Sequence, residues 1–130
     1  MVILDTHALV FDALAPERMS RRAARAVQRA AESSELACSD ITLWEVAMLV
    51  AKGRLQIPED VSAFLSNAIH ARAIQVLPIS PEVAALAASS RFAQGDPADR
   101  IIGSTALVHR AVLVSADEQM KGVTGLSVVW

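Results

Sequence analysis

Short apolar runs alternate along this chain with longer stretches of helical period. Val2-Ile3-Leu4 is a continuous apolar run that ends in Asp5, the pattern of a strand buried in a parallel sheet. Thr6 to Leu14 reads as a helix stopped near Pro16, and Ser20 is a good N-cap for the Arg- and Ala-rich segment that runs to about Ala31. Leu36-Ala37-Cys38 is a weaker strand, after which Ser39 or Asp40 caps a helix through about Ala51, broken by Gly53. Pro58-Glu59-Asp60 opens a helix to about His70, Ile74 to Ile79 is a strand, and Ser80 with Pro81 starts a helix to about Phe92. Gly95-Asp96-Pro97 is a turn before a helix from Ala98 to Arg110. Val112-Leu113-Val114 is a strand leading into Ser115-Ala116-Asp117, and Ser127 to Trp130 supplies a last strand. Strands alternating with helices predict βαβ units. The expected class is α/β, a three-layer α/β/α fold around a parallel sheet of about five strands, in one domain over residues 1–130.

In open parallel sheets ligands bind at the carboxyl ends of the strands, near the point where the strand order reverses. Acidic residues recur at those places. Asp5 ends the first strand, Asp117 follows the Val112 strand, and Asp96 and Asp99 open the helix leading into that strand. Glu45 is an isolated acid in an apolar helix, flanked by Trp44 and Val46, and the periodicity leaves open whether it faces water or a partner. If these carboxylates converge, like charges about 4 Å apart repel by several kcal/mol in a partly desolvated site. They must then protonate or bind cations. Hard carboxylate oxygens select Mg2+ or Mn2+, and that pairing suits in-line attack of water on a phosphodiester. Each acid also has a plainer explanation. Asp5 can cap the helix after it, Asp96 and Asp99 can complement a helix dipole, and Asp117 can be a turn residue.

Composition narrows the field. The 130 residues are 53% hydrophobic and 20% charged with a net charge of −2, which excludes intrinsic disorder. A membrane span is excluded as well, because the longest stretch without a charged residue is Val61 to Ala71. MVILD carries no basic region and hence no secretory signal. Cys38 is the single cysteine, so no internal disulfide or cysteine-based zinc site is expected. A cytoplasmic protein is the simplest reading. His7, His70 and His109 are scattered, which argues against histidine-rich metal ligation. Ten of the twelve basic residues are Arg. Arg18, Arg22, Arg25 and Arg29 form a stripe at helical spacing, beside Arg21: a solvated face, a phosphate track, or a surface for an acidic partner. Arg100 is expected to pair with Asp96 or a neighbouring acid. Cys38 is expected in the core, and Trp44 and Trp130 in the core or an interface, because base stacking needs an exposed aromatic.

Taken in order, four segments resemble those of PIN domains, specifically ribonuclease toxins of the VapC type. They are VILDTHALV with Asp5 and Thr6, Ser39-Asp40-Ile41-Thr42-Leu43-Trp44-Glu45, Gly95-Asp96-Pro97-Ala98-Asp99-Arg100-Ile101-Ile102, and Leu113-Val114-Ser115-Ala116-Asp117. Each alone is weak, but together they cover essentially the whole chain. The resemblance implies that Asp5, Glu45, Asp99 and Asp117 are the catalytic, metal-binding acids and that Asp96 is an additional ligand. Thr6 and Ser115 would hydrogen-bond the carboxylates or the metal's waters. Relatives often carry His where this chain has Gln94 or Gly95, so no histidine role carries over there. The implied activity is Mg2+- or Mn2+-dependent cleavage of RNA, silenced by a cognate antitoxin protein, in a chain that is often a homodimer. Segments Ser20–Ala31 and Pro58–His70 are the candidate partner surfaces. The alternatives are a PIN-type nuclease in RNA or DNA processing outside such a pair, and a non-catalytic PIN-like interaction module. A haloacid-dehalogenase-type phosphotransferase is rejected, since His7 stands where a second Asp is needed, and no P-loop sequence is present.

Overall fold

The computed structural model describes residues 1–92 and 95–130. Five short strands, numbered in chain order, form one sheet: β1 (Val2–Leu4), β2 (Leu36–Ser39), β3 (Gln75–Leu77), β4 (Val112–Val114) and β5 (Ser127–Val129). Their order is β3-β2-β1-β4-β5 and every pairing is parallel. β1 is central, with Ile3 opposite Ala37 on one side and Leu113 on the other. The chain first builds outward through β2 and β3, then returns to the other side of β1 for β4 and β5. The strand order therefore reverses at β1, directly before Asp5.

The helices are α1 (Thr6–Leu14), α2 (Arg21–Glu32), α3 (Asp40–Ala51), α4 (Val61–Arg72), α5 (Pro81–Ala87), α6 (Pro97–Val108) and α7 (Glu118–Lys121). The period of two along the strands separates two cores, one on each face. Leu4, Leu36, Cys38 and Val114 pack with Leu9, Val27 and Phe64 from α1, α2 and α4. Ile3, Ala37 and Leu113 pack with Ile102, Ala106 and Met120 from α6 and α7. Ile3, Leu4, Leu36 and Leu113 are wholly inaccessible, and each contributes about 1.5–3 kcal/mol of apolar burial. The three-layer α/β expectation is met. Burial, with a smaller effect from Asp40, pushes the Cys38 thiol up to about 12, so it behaves as a small hydrophobe. Among the described residues no helix is long and apolar enough to cross a membrane.

Several sequence boundaries need correction. The strand expected over Ile74 to Ile79 is reduced to Gln75–Leu77, because Pro78 cannot donate to the ladder. The helix expected from Pro81 to Phe92 stops at Ala87 and is followed by a separate 3-10 turn over Ser90–Phe92. The helix assigned to start at Pro58 begins at Val61, with Asp60 accepting from the Ala63 amide. The α7 turn and a 3-10 turn at Pro16–Arg18 were not expected. That turn takes Arg18 off α2, so the Arg stripe on α2 is Arg22, Arg25 and Arg29, all exposed. Trp44 is not a core residue: it is 57% exposed.

Candidate active site

Five acids from four segments line one pocket of about 410 Å3 at the carboxyl ends of β1 and β4. Local chemistry explains how each is placed. Asp5 follows β1, its amide bonded to the Val114 carbonyl of β4, and its Oδ1 accepts from the Ala8 amide at 2.7 Å as the N-cap of α1. Asp96 follows Gly95, whose φ of +101° suits glycine, and caps α6 through the Asp99 amide at 2.9 Å. Asp117 caps α7 through the Gln119 amide at 2.9 Å. Asp99 lies in the first turn of α6. Glu45 projects from α3, where Thr42 and Val46 take the buried face. Thr6, Phe11, Ala116 and His7 complete the lining.

Thr6 and Ser115 both lie at the acids. The buried Thr6 hydroxyl donates to Glu45 Oε1. The buried Ser115 Oγ accepts from the Asp117 amide at 3.1 Å, and the nearness of its hydroxyl to Asp5 favours that carboxylate. These hydroxyls only partly offset the environment. Burial raises Asp5 above the usual carboxylate range, as does nearby Asp117, against the pull of Ser115, the Ala8 amide and His7. Burial also raises Glu45, with Asp96 and Asp5 adding repulsion while Thr6 and His7 oppose it. Asp99 is pushed up to about 7 by burial, by the charge of Asp96 and a hydrogen bond to it, and by Glu45 and Asp117. All five groups therefore interact, directly or through one another.

A hard divalent cation fits this donor set in kind. The donors are carboxylate oxygens, and repulsion among them is relieved by positive charge. Among the described residues, however, no three His, Cys, Asp or Glu side chains stand close enough together to hold an ion as placed. The carboxylates would have to draw together. The pairing expected for Arg100 is not found: among the described residues it forms no salt bridge, and its Nε is buried without a partner. Asp96 is occupied by the Asp99 amide and by its contact with Asp99. Gln94 lies outside the described residues.

His7 was missed as a pocket residue by sequence reasoning. It follows Asp5 and Thr6 in the first turn of α1, whose start fans three successive side chains around the pocket. The cap at Asp5 was the available signal.

A parallel α/β sheet with a carboxylate pocket at its reversal point defines a class of acid-lined α/β proteins. Over residues 2–126 the sequence matches the PIN domain family. The chain belongs to that family. It is 36% identical over 121 residues to Ribonuclease VapC22 of Mycobacterium tuberculosis, covering 92% of this chain and 89% of that protein. Its fold is similar to that of VapBC2 from Rickettsia felis bound to a promoter DNA fragment, with a TM-score of 0.75 and 19% identity over 99% of this chain and 98% of that one. DNA-bound VapBC from Salmonella typhimurium gives 0.73 and 19% over 98% and 96%. FitAcB from Neisseria gonorrhoeae gives 0.66 and 21% over 100% and 97%. At these identities the structural likeness is one of fold.

Proposed function

We propose that this chain is a Mg2+- or Mn2+-dependent endoribonuclease, the toxin of a toxin–antitoxin pair acting in the cytoplasm. The observation that carries the reading is the convergence of Asp5, Glu45, Asp96, Asp99 and Asp117, far apart in sequence, on one pocket at the sheet's reversal point. The name of the VapC22 relative supports RNA as substrate. The VapBC complexes among its structural neighbours support an antitoxin as partner. A homodimer is part of the same proposal.

Asp5, Glu45, Asp99 and Asp117 would hold the cation, with Asp96 beside them. When bound, it supplies Lewis acidity toward a phosphodiester and toward water. The chain's own residues prepare the site. The caps made by Asp5, Asp96 and Asp117 each use one carboxylate oxygen on a backbone amide and leave the other directed by that bond. Thr6 holds Glu45 from the strand side. His7 adds a donor or a positive charge at the pocket wall, favouring ionised Asp5 and Glu45.

The test is cleavage of a fluorescent structured-RNA pool with Mg2+ or Mn2+, with EDTA, and by the Asp5→Asn and Asp99→Asn variants. Cleavage abolished by EDTA and by both substitutions is expected. Cleavage that survives both substitutions overturns the site assignment. Side-by-side DNA cleavage of equal rate would replace RNA as the defining substrate.

A further inference from the structure

Trp44 is the most exposed large hydrophobic side chain among the described residues. An indole left in water forfeits the burial that makes Trp stabilising, so an exposed one in a groove marks a contact surface. Trp44 lies immediately before Glu45 on α3 and lines a groove of about 640 Å3 between α1 and α3. That groove is continuous with the carboxylate pocket: His7, Phe11, Glu45 and Asp96 line both. Its wall also carries Arg18, Lys52 and Arg54. All three are exposed, and none forms a salt bridge among the described residues. The Arg18 guanidinium lies 4.3 Å from the Phe11 ring centroid. That stacking fixes its plane and leaves its edge N–H donors to grip an anion.

We propose that this groove is the single-stranded RNA subsite beside the cleavage centre, with Trp44 as a base-stacking platform and Arg18, Lys52 and Arg54 as phosphate contacts. The proposal rests on the nuclease reading of the adjoining pocket. Two features favour RNA over a protein segment. A strand whose phosphate occupies the acidic pocket must leave through its walls, and this groove opens from a shared wall. A nucleotide also pairs a flat apolar face with an anionic link, and the groove sets an indole and the apolar Val10, Met48 and Leu49 beside three cations that form no salt bridge among the described residues. Stacking on one aromatic with flanking cations is how single strands are held without sequence readout. Trp44 and the three cations are positioning residues, distinct from the acids.

The experiment uses the fact that the chain has two tryptophans. In a Trp130→Phe, Asp5→Asn background, Trp44 is the only fluorophore and the RNA stays intact. An octanucleotide of single-stranded RNA is titrated in with Mg2+. Expected results are quenching of Trp44 emission on binding and, read by the anisotropy of fluorescein-labelled RNA because these variants hold no tryptophan, an affinity weakened roughly ten- to a hundredfold by Trp44→Ala and restored by Trp44→Phe, which keeps a π-face. Each of Arg18→Ala, Lys52→Ala and Arg54→Ala should lower the slope of log affinity against log salt by about 0.7. Unchanged RNA affinity in Trp44→Ala, together with no quenching where Trp44 is present, overturns the proposal. So does loss of antitoxin binding in Trp44→Ala with RNA affinity intact, since the groove would then be a protein-docking surface. In the background with Asp5 intact, RNA that binds through Trp44 but is never cleaved upholds the subsite and refutes the nuclease reading. RNA cleaved at full rate by Trp44→Ala at limiting substrate does the reverse.

Discussion

Replacing Asp99 with Asn should stabilise the cation-free protein at alkaline pH while removing a proposed catalytic group. The folded state holds a proton on Asp99 up to about 7, against an ordinary value of 3.8. Between those values the folded state binds more protons than the unfolded chain, so stability falls as pH rises and the loss is complete above the folded value. Undamped, a lift of about three units corresponds to about 4 kcal/mol. The carboxyl is partly open to solvent, and screening reduces this to about 1–2 kcal/mol. Asn has the same shape and cannot ionise, so Asp99→Asn should gain that amount at pH 8 in EDTA, roughly 3–8 °C in Tm. The gain should shrink below about pH 7 and vanish near pH 4. Thermal melts of wild type and variant across this range, at fixed protein concentration, measure it. Saturating Mn2+ should raise wild-type Tm and erase the variant's advantage, because the cation neutralises the same repulsion. A variant no more stable than wild type at pH 8, or equally more stable at every pH, refutes the electrostatic reasoning.

Asp5→Asn and Asp5→Ala should separate two roles of one side chain. Both should lose cleavage, but Asn still caps α1, whereas Ala loses the bond to the Ala8 amide and about 1 kcal/mol of stability; denaturant unfolding of the pair reads the difference. Gly103→Ala should destabilise, although alanine normally favours a helix. A Cβ there would stand 2.7 Å from Phe92 Cε1, and Phe92 is 2% exposed with no room to swing out. Overpacking of about 1–3 kcal/mol outweighs a propensity gain of about 1 kcal/mol, and a lower Tm with cleavage retained is the expected result.

The chain's order of elements was legible because its strands are short apolar runs and its helices carry strong start signals. Ser20, Ser39 and Ser80 each cap the helix they were assigned to. What misled was context beyond the local pattern. The helical period of 81–92 continues past Ala87, yet the chain turns there, and Phe92 is buried against Gly103 of α6. The apolar run 74–79 looks like a full strand, but β3 is at the sheet edge and Pro78 closes its ladder. Arg18 matched the spacing of α2 while belonging to a separate turn stacked on Phe11. Trp44 illustrates the same point at the site. Its type suggested the core or an interface, and the packing of α1 against α3 excludes the core by leaving its indole in an open groove.

Asp5 caps α1 as its plain explanation has it, and Asp96 and Asp117, for which a helix dipole and a turn were the plain explanations, prove to be caps as well. A carboxylate has two oxygens, and capping engages one of them, so a cap is compatible with ligation by the other. The coincidence has a physical origin. At the reversal point of a parallel sheet, strand ends and helix starts meet, and each helix start both accepts an acid and fixes its direction. An acid placed there for local reasons is also placed beside the acids of neighbouring connections. Capping alone would be served as well by Ser, as at Ser20 and Ser80. What capping does not account for is the addition of Glu45 from the middle of α3 and of Asp99, whose side chain caps nothing, at the cost of raised protonation in three of the five. The cation proposed for this pocket would relieve that electrostatic burden, because positive charge offsets the repulsion that helps raise all three.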